Sequence, residues 1–488
     1  MSFETAEDRK QSYFKDYSIF PKESNLHYRY ESAEELLNNL DILAEMIEDH
    51  YHNQVPRLSV LDDYYKANNP TIKQNKRRVD DEKIDYNPAH NFAKVGAQFD
   101  VGYNTGIPIK TVLDDKSDMV DDFNKFNDID TLNSELWLDM DKYGRAYELH
   151  HRDENYDDYV FISNVFITFV VYDTSPMRNP ILAVRYPKVH FGEHDDEILI
   201  TVYTQDEIIQ YETTELSNIQ FNEKKREDHD YQHIPILEIQ PNRYRQGLYE
   251  DVLSLIDLYD AAQADTANYM SDLANATLVI SGNIDSAGMT TEDLIKQKRA
   301  NLLLLESGID AQGKETSLGA GYIYKQYDVN GTEAYKKRLV QDIHKFMNVP
   351  DLTDEQFAGV QSGEAMKYKL SGYSQQAMAK QRIFSDHLDK RYELLYNIQK
   401  EASEVTEIDI HALEVIFTPN IPQSMHEELD VLVNAGAQFS QKTLLDLASF
   451  ITNADEELEK IEEENKIGRG YDFEMPQELE EDPIEDGE

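Results

Sequence analysis

The sequence contains no cysteine and only one tryptophan, Trp137, among its 488 residues. The lack of cysteine excludes disulfide bridges, thiolate nucleophiles and cysteine-ligated metal sites. No uninterrupted apolar run reaches about 18 residues, the length that suggests a membrane-spanning helix. The first residues are polar and charged, unlike those of a secretory signal peptide. These absences predict a soluble intracellular protein with no membrane partner, and they are compatible with a reducing cytosol.

Basic residues are also scarce, since 47 Lys and Arg stand against 95 Asp and Glu, giving a formal net charge of −48. Such a surface repels nucleic acid at long range and releases no phosphate counterions on contact. A protein that reads DNA sequence is therefore not expected, whereas one that touches DNA without holding it is compatible. The length predicts two or more subregions, and the 31 tyrosines indicate much amphipathic contact surface.

The first half of the chain combines helical and strand patterns. Residues 1–30 show no period and are predicted to form an arm. Ser32 and Glu35 have the spacing of a capping box, which predicts the start of a helix. From residue 144 to about 240 the apolar period is two, which predicts an antiparallel meander. The fold class predicted from this combination is α+β.

The second half is dominated by long helices. Residues 248–276 lack Gly and Pro and predict one long helix. Its apolar positions form a single stripe, consisting of Leu248, Val252, Leu255, Leu258 and Ala262. Its acidic positions form two pairs, each at seven-residue spacing, which returns nearly to the same helical face. This predicted acidic face consists of Glu250, Asp257, Asp265 and Asp272.

A compact αβ insert is predicted at residues 277–331, followed by a second helix over 332–347. After a polar loop, a helix of about 40 residues is predicted to begin behind Ser362, with a bend at Gly372. Its predicted buried stripe is Met366, Leu370, Tyr373, Ala377, Phe384, Leu388, Tyr392 and Leu395. A strand in HALEVIFTPN, a small helical C-terminal domain and an acidic tail complete the chain.

Three patterns suggest chemistry, and a plainer interpretation is favoured for each. Gly308 to Lys314 match the first seven positions of a phosphate-binding P-loop, but Glu315 replaces the hydroxyl that ligates Mg²⁺. His229 and His233 have the spacing of zinc ligands, but they lie in a loop. Adjacent aspartates are frequent, as in metal-dependent nucleases, but such pairs are expected by chance in so acidic a chain. No catalytic residue and no cofactor is predicted.

The segment VPDLTDEQFAGVQSGEAMKYKLSGY, residues 349–373, resembles portal proteins of tailed bacteriophages, of the kind found in long-tailed phages of Gram-positive bacteria. The residues that match the family's pattern are Pro350, Asp354, Glu355, Phe357, Gly359, Ser362, Gly363, Ala365, Met366 and Lys367. The segments NPAHNFAKVGAQFDVGYNTGIPI, YGRAYELHHRDE, FVVYDTS and LAVRYP agree as well. The resemblance covers about residues 30–465.

The resemblance implies a non-enzymatic ring of twelve subunits at one capsid vertex, made in the host cytoplasm and retained in the virion. The implied regions are an arm (1–30), the wing (31–245), a first stem helix (246–276), the clip (277–331), a second stem helix (332–348), a tunnel loop (349–363), a kinked spine helix with a wing return strand (364–421), a crown (422–467) and a disordered tail (468–488). The implied partners are other copies of the chain, the major capsid protein and scaffold, the terminase large subunit, a head-completion adaptor, and double-stranded DNA that passes through the channel non-specifically.

The tunnel loop is the part of the chain that the resemblance places against DNA. Its candidate residues are Asp354, Glu355, Gln356, Phe357, Ala358, Gly359, Val360, Gln361, Ser362 and Gly363. Among them, Gln356, Phe357 and Val360 are predicted to form the narrowest ring. Two alternatives stay open from the sequence: another capsid component such as an adaptor, and a metal-dependent enzyme acting on DNA.

Overall fold

The structure of the protein is a computed structural model. It describes residues 20–74, 76–78, 84–113, 119–188, 197–274, 277–282, 290–306, 319–323, 328–351, 363–405, 409–420, 445, 457–458 and 460–461. The chain divides into two units, Met1–Ala358 with Leu370–Asn420, and Gly359–Lys369 with Ile421–Glu488. All contacts described below lie within the first unit. The predictions for residues 1–19, for most of the crown and for the acidic tail lie outside the described residues.

Helices form where the apolar spacing and the capping residues agree. The α-helices are α1 (Ala33–Asn38), α2 (Leu40–Asp49), α3 (Val55–Tyr65), α4 (Pro70–Gln74), α5 (Phe92–Thr105), α6 (Met119–Phe126), α7 (Ile129–Tyr143), α8 (Leu253–Ala274), α9 (Thr291–Arg299), α10 (Val329–Met347) and α11 (Gly363–Glu401). The Ser32 hydroxyl accepts a hydrogen bond from the Glu35 amide at 3.2 Å, which confirms the predicted cap of α1. The prediction of long helices after residue 248 is confirmed by α8, α10 and α11.

Helix α7 is one that the sequence interpretation missed. Its buried positions Ile129, Leu132, Leu136 and Met140 recur every three or four residues, so the signal was present. The helix ends at Gly144, whose φ of +72° lies in the left-handed region, and a Cβ there would stand 2.1 Å from the Arg245 carbonyl oxygen. Only glycine fits this close approach.

The strands are β1 (Tyr28–Arg29), β2 (Lys110–Val112), β3 (Ala146–Arg152), β4 (Asp158–Ser163), β5 (Thr168–Tyr172), β6 (Pro180–Arg185), β7 (Ile198–Tyr203), β8 (Glu207–Thr213), β9 (Asn222–Asp228), β10 (Ile236–Ile239), β11 (Thr277–Gly282), β12 (Leu302–Glu306), β13 (Gly319–Ile323) and β14 (Glu414–Ile416). They form a six-stranded sheet in the order β1-β5-β6-β7-β8-β9, two three-stranded sheets, β10-β3-β4 and β12-β11-β13, and the pair β14-β2.

The prediction of one meander over residues 144–240 is wrong in its connectivity. Strands β5 to β9 are an antiparallel meander, but β3, β4 and β10 form a separate sheet. The two sheets part at a turn after β4, where the Asn164 carbonyl oxygen accepts the Ile167 amide at 3.1 Å. Periodicity alone does not reveal this break, because the apolar alternation continues through it.

Strand β9 was also missed, because every one of its residues is exposed and most are charged. It is an edge strand that pairs only with β8 among the described strands. Arg226 bridges Glu207 on β8 and Glu223 on its own strand, at 2.6 and 3.0 Å. Charges on an edge strand discourage pairing with another sheet.

The described residues of the first unit form two large hydrophobic cores and a small third cluster of Tyr231, Leu394 and Ile398. One joins α6 and α7 to the middle of α11 and contains Leu136, Trp137, Phe384, Leu388 and Tyr392. The other lies between α1 and α2 and the six-stranded sheet. The mixed helix and sheet content agrees with the predicted α+β class. Among the described helices, none combines the length and the apolar character needed to cross a membrane.

The insert after α8 has the predicted order of strand, helix and strand. β11 pairs in parallel with β12 and antiparallel with β13, and α9 lies between β11 and β12 in the sequence. The return strand predicted in HALEVIFTPN is β14, which pairs antiparallel with β2. The predicted bend at Gly372 stays a prediction, and α11 is one uninterrupted helix in its hydrogen bonding.

Candidate functional site

The predicted tunnel loop falls almost wholly outside the described residues. Of its ten candidate residues only Gly363 is described, and it is the first residue of α11. The other nine, Asp354 to Ser362, therefore stay predictions. The described part of the candidate site consists of the two helices α8 and α10, which frame the insert in the sequence, and of the long helix α11.

The predicted acidic face does not hold for Glu250, which is buried within the chain. It lies in a short 3₁₀ turn just before α8. Its carboxylate accepts hydrogen bonds from Arg57, from Nε at 2.8 Å and from Nη2 at 2.5 Å. Arg57 also donates to the Arg245 carbonyl oxygen at 3.0 Å. This ion pair fixes the start of α8 to helix α3.

Asp257, one helical turn into α8, is also enclosed by the chain. Its carboxylate accepts the Tyr64 hydroxyl at 2.6 Å and the Thr71 hydroxyl at 3.0 Å. Burial raises the pKa of Asp257 to about 6, and the nearby charge of Asp260 acts in the same direction. A carboxylate that faces α3 and α4 in this way is not part of an outward acidic surface.

Asp265 and Asp272 remain exposed, and each has a cationic neighbour. Arg77 reaches Asp265 at 2.8 Å, and Arg78 reaches Asp272 at 3.3 Å. The stripe of four acids thus divides into a buried pair and an exposed, partly neutralised pair. The partners that divide these acids lie about 190 positions away in the sequence, so the spacing of the acids alone does not reveal which of them are buried.

The apolar stripe predicted on the same helix divides as well. Val252 is fully buried in the chain, whereas Leu258 is exposed, and the remaining members are half-buried. Helix α10 packs along α8 and buries Leu339, Ile343 and Met347. A Cβ on Gly96 of α5 would stand 2.2 Å from the Met347 sulfur, so α5 and α10 approach closely at this point.

Helix α11 is held to α5, α7 and β3 by buried charges that the sequence interpretation missed. The Lys380 ammonium donates to Asp100 of α5 at 2.8 Å and to Asp141 of α7 at 2.6 Å. Trp137 Nε1 donates to the same Asp100 carboxylate at 2.8 Å, and the Tyr373 hydroxyl donates to it too. Burial raises the pKa of Asp141 well above its usual range, and the charge of Asp100 adds to this effect.

A second buried cluster lies two turns further along α11, around Glu148 of β3. The Arg391 guanidinium donates to both carboxylate oxygens, at 2.8 and 2.6 Å. His387 and His150 also donate to Glu148, at 2.9 and 2.8 Å. Burial favours a high pKa for Glu148, but Arg391 and His387 outweigh burial and hold that pKa well below its usual range. The carboxylate is therefore charged.

The residues that suggested chemistry are spread over the fold. His229 contacts the Thr204 carbonyl oxygen at 3.0 Å, and His233 approaches Glu393 on α11 at 3.5 Å. Asp62 accepts Lys142 at 3.0 Å. Within the described part of the chain, no group of three or more His, Asp or Glu side chains has the arrangement of a metal site. The P-loop-like segment from Gly308 to Glu315 lies outside the described residues.

Comparison with known proteins gives one match at the level of a family. Residues 44–467 match the family described as phage portal protein, SPP1 Gp6-like. No curated protein matches the chain.

Similar solved structures include a chain in the neck of an empty GTA particle, with 14% identity and a TM-score of 0.39 over 73% of this chain and 88% of that one. Another is a chain in the virion of a native gene transfer agent particle, with 13% identity and a TM-score of 0.40 over 80% of this chain and 92% of that one. Because the family match spans most of the sequence, the chain belongs to the SPP1 Gp6-like family of phage portal proteins.

Proposed function

We propose that copies of this chain form a closed ring of twelve at one capsid vertex, and that DNA crosses the ring on packaging and ejection. Family membership carries the proposal, and the exposed apolar side chains of the stem helices support it. Leu258 and Met270 on α8, and Tyr335 and Phe346 on α10, are exposed in the single chain. Neighbouring copies in a ring would cover such side chains and remove their apolar surface from water.

In this proposal the subunit is a conduit and a docking platform with no catalytic role. The insert at residues 277–331 receives the terminase during packaging and the head-completion adaptor afterwards. The wing contacts the major capsid protein and the scaffold. In this proposal the terminase motor supplies the energy.

The charge of the chain suits a passage that DNA crosses without being held. Each lysine or arginine fixed on a phosphate releases counterions and strengthens binding, so a strongly acidic subunit avoids trapping the duplex. We place the tunnel loop at the narrowest point, with Gln356, Phe357 and Val360 nearest to the DNA. Asp265 and Asp272 are the two members of the predicted acidic face that are available to contribute to the channel potential.

Replacing Phe346 with aspartate should prevent ring formation and leave the subunit folded. The side chain is 59% exposed in the single chain, so its replacement disturbs little within the subunit. A charge buried between two copies is strongly unfavourable. Negative-stain imaging and size-exclusion chromatography should show rings with a central hole for the unaltered protein and monomers for the variant. Circular dichroism should be unchanged.

The matched control is Gln341→Asp, which places the same charge at another exposed position of α10. Rings are expected to persist in this control. An unaltered protein that stays monomeric at high concentration would contradict the ring and favour a different capsid component. DNA cleavage by the purified protein with Mg²⁺ or Mn²⁺ would contradict the non-enzymatic role.

Replacing Gly359 with tryptophan should impair DNA packaging while leaving the rings intact. Glycine gives the loop a backbone freedom that no bulky residue has, and we propose that the loop tip needs this freedom to follow the duplex. The measurement is the fraction of DNA protected from nuclease in a packaging reaction. Ala358→Val, which adds bulk beside the glycine without removing it, separates steric effects from flexibility. Normal packaging by Gly359→Trp would exclude this role for the loop.

A further inference from the structure

Three buried arginines lie together beside the segment that precedes β1. Arg57 is on α3, Arg145 comes directly before β3, and Arg245 follows β10, and each is at most 3% exposed. The Arg245 carbonyl oxygen accepts Arg57 at 3.0 Å and Asn25 Nδ2 at 2.9 Å, and Arg145 Nη2 donates to Asn25 Oδ1 at 2.9 Å. The Tyr147 hydroxyl accepts Arg245 Nη2 at 3.0 Å and also contacts Arg145, so these two guanidinium groups are neighbours.

Two carboxylates balance two of the three positive charges. Arg57 pairs with Glu250 at 2.5 Å, and Arg245 pairs with Glu238 at 2.7 Å. Among the residues that the structure describes, no carboxylate pairs with Arg145. A buried charge without a partner of opposite sign is strongly unfavourable. The cluster therefore has one positive charge more than its carboxylates offset.

The hydrogen bonds of Arg145 go to neutral groups. Its Nη1 donates to Gln54 Oε1 at 2.6 Å, and Gln54 ends the π-helical turn His50–Gln54, a rare local structure that is often found at functional sites. The Nε atoms of Arg145 and Arg245 are buried and have no partner among the described residues. Buried donors are nearly always satisfied. Burial and the charge of Arg245 lower the pKa of Arg145 to about 10, so Arg145 is still charged at neutral pH.

Two histidines lie close to the same arginines and are neutral. His50 Nδ1 contacts the Tyr186 hydroxyl at 2.5 Å, and its buried Nε2 has no partner among the described residues. His27 Nδ1 is in the same state. Burial, with the charges of Arg145 and Arg245, holds the pKa of His50 well below its usual range. Burial and Arg245 lower the pKa of His27 to about 4.

We propose that this cluster is a binding site for one small monovalent anion, with chloride as the ligand. The cluster consists of Arg57, Arg145, Arg245, His27 and His50. The anion supplies the negative charge that Arg145 lacks, and it accepts hydrogen bonds from the buried Nε donors of Arg145 and Arg245.

The same arginines hold the segment that precedes β1. Arg245 Nη1 donates to the Leu26 carbonyl oxygen at 2.9 Å, and Gln54 Nε2 donates to the same oxygen at 3.1 Å. Asn25, next to Leu26, accepts Arg145. Binding of the anion therefore strengthens the attachment of this segment, and loss of the anion weakens it.

Replacing chloride with gluconate at constant ionic strength tests the site on the full-length protein. Gluconate is too large for a site made of buried groups. With a dissociation constant of about 10 mM, chloride at about 0.2 M should shift the equilibrium constant for unfolding about 20-fold towards the folded state. Urea denaturation followed by circular dichroism measures this shift. Crystals grown in sodium bromide should show an anomalous scattering peak at hydrogen-bonding distance from Arg145 Nε.

Three variants locate the effect. Arg145→Met should show no dependence on chloride, whereas Arg382→Met, which removes the same charge from an exposed position of α11, should keep the full dependence. Gln54→Glu places a carboxylate beside Arg145 and should take the place of the anion. The Leu26 carbonyl keeps Arg245 as its partner in this variant. Gln54→Glu should therefore be about as stable in gluconate as in chloride.

Equal stability of the unaltered protein in the two anions would overturn the proposal, and so would crystals without a bromide peak beside Arg145. A chloride effect that persists in Gln54→Glu would place the responsible ion elsewhere and would also overturn it. The bromide peak and Gln54→Glu decide the question even if Arg145→Met does not fold.

Discussion

Replacing Glu148 with alanine should lower the free energy of unfolding by about 3–5 kcal/mol. The substitution leaves the buried Arg391 guanidinium without its carboxylate, and an uncompensated buried charge costs this much. Arg391 and Glu148 are both fully buried, so water does not replace the lost partner. Urea denaturation followed by circular dichroism measures the change. We expect α11 to lose protection at His387 and Arg391 first.

Glu154→Ala is the matched control, because Glu154 is exposed in the turn between β3 and β4. Surface substitutions of this kind stay within about 0.5 kcal/mol. Combining Glu148→Ala with Arg391→Met removes both charges. The double variant should lose clearly less free energy of unfolding than the two single variants lose when added together. A loss below about 1 kcal/mol for Glu148→Ala alone would mean that the cluster is hydrated and that the argument from burial is wrong.

Replacing Lys380 with methionine should lower the free energy of unfolding by about 3–5 kcal/mol at pH 8. The substitution leaves two buried carboxylates, Asp100 and Asp141, in one site without their cation. Methionine retains much of the volume and the apolar stem of lysine. The measured difference in stability therefore reports mainly the loss of the positive charge. Lys390→Met, at an exposed position on the same helix, should change little.

The decrease in the free energy of unfolding caused by Lys380→Met should be smaller at pH 5 than at pH 8. Burial already raises the pKa of Asp141 in the unaltered protein, and removing Lys380 raises the pKa of both acids further. The folded variant then binds more protons than its unfolded chain above the ordinary aspartate pKa of about 3.9. Its free energy of unfolding therefore falls as pH rises through that interval. A loss that does not depend on pH would show that the two carboxylates are not charged together.

These two clusters explain how one long helix is fixed at defined points to elements from the first half of the chain. Lys380 contacts α5 and α7, and Arg391 contacts β3. These contacts fix the position of α11 along its axis relative to all three elements. Apolar packing alone tolerates sliding of a helix by a turn, whereas a buried ion pair is satisfied in one register only.

Much of the fold was predictable from local pattern. The apolar stripe on α11 was predicted from its spacing, and Leu370, Tyr373, Ala377, Phe384, Leu388, Tyr392 and Leu395 are all buried. The capping residue Ser32, the long helices after residue 248 and the strand-helix-strand insert were also predicted. These features depend on residues that are close in the sequence, where helical and strand periods act directly.

The charged residues of the same helix show where local pattern fails. Lys380, His387 and Arg391 are expected on a solvent face, yet all three are buried. Lys380 meets Asp141 across 239 positions, and Arg391 meets Glu148 across 243. Without the fold, no spacing rule connects residues so far apart.

The sequence by itself determined the acidic charge, the absence of thiol chemistry, the long helices after residue 248, and the family through its portal-like segments. Only the tertiary structure decided which acids are buried. Glu250 and Asp257 lie on the predicted acidic face with Asp265 and Asp272, but α3 and α4 cover the first two, and the others are exposed. The reason is physical, because the state of a carboxylate is set by the solvent and partners around it, and distant parts of the chain bring those partners.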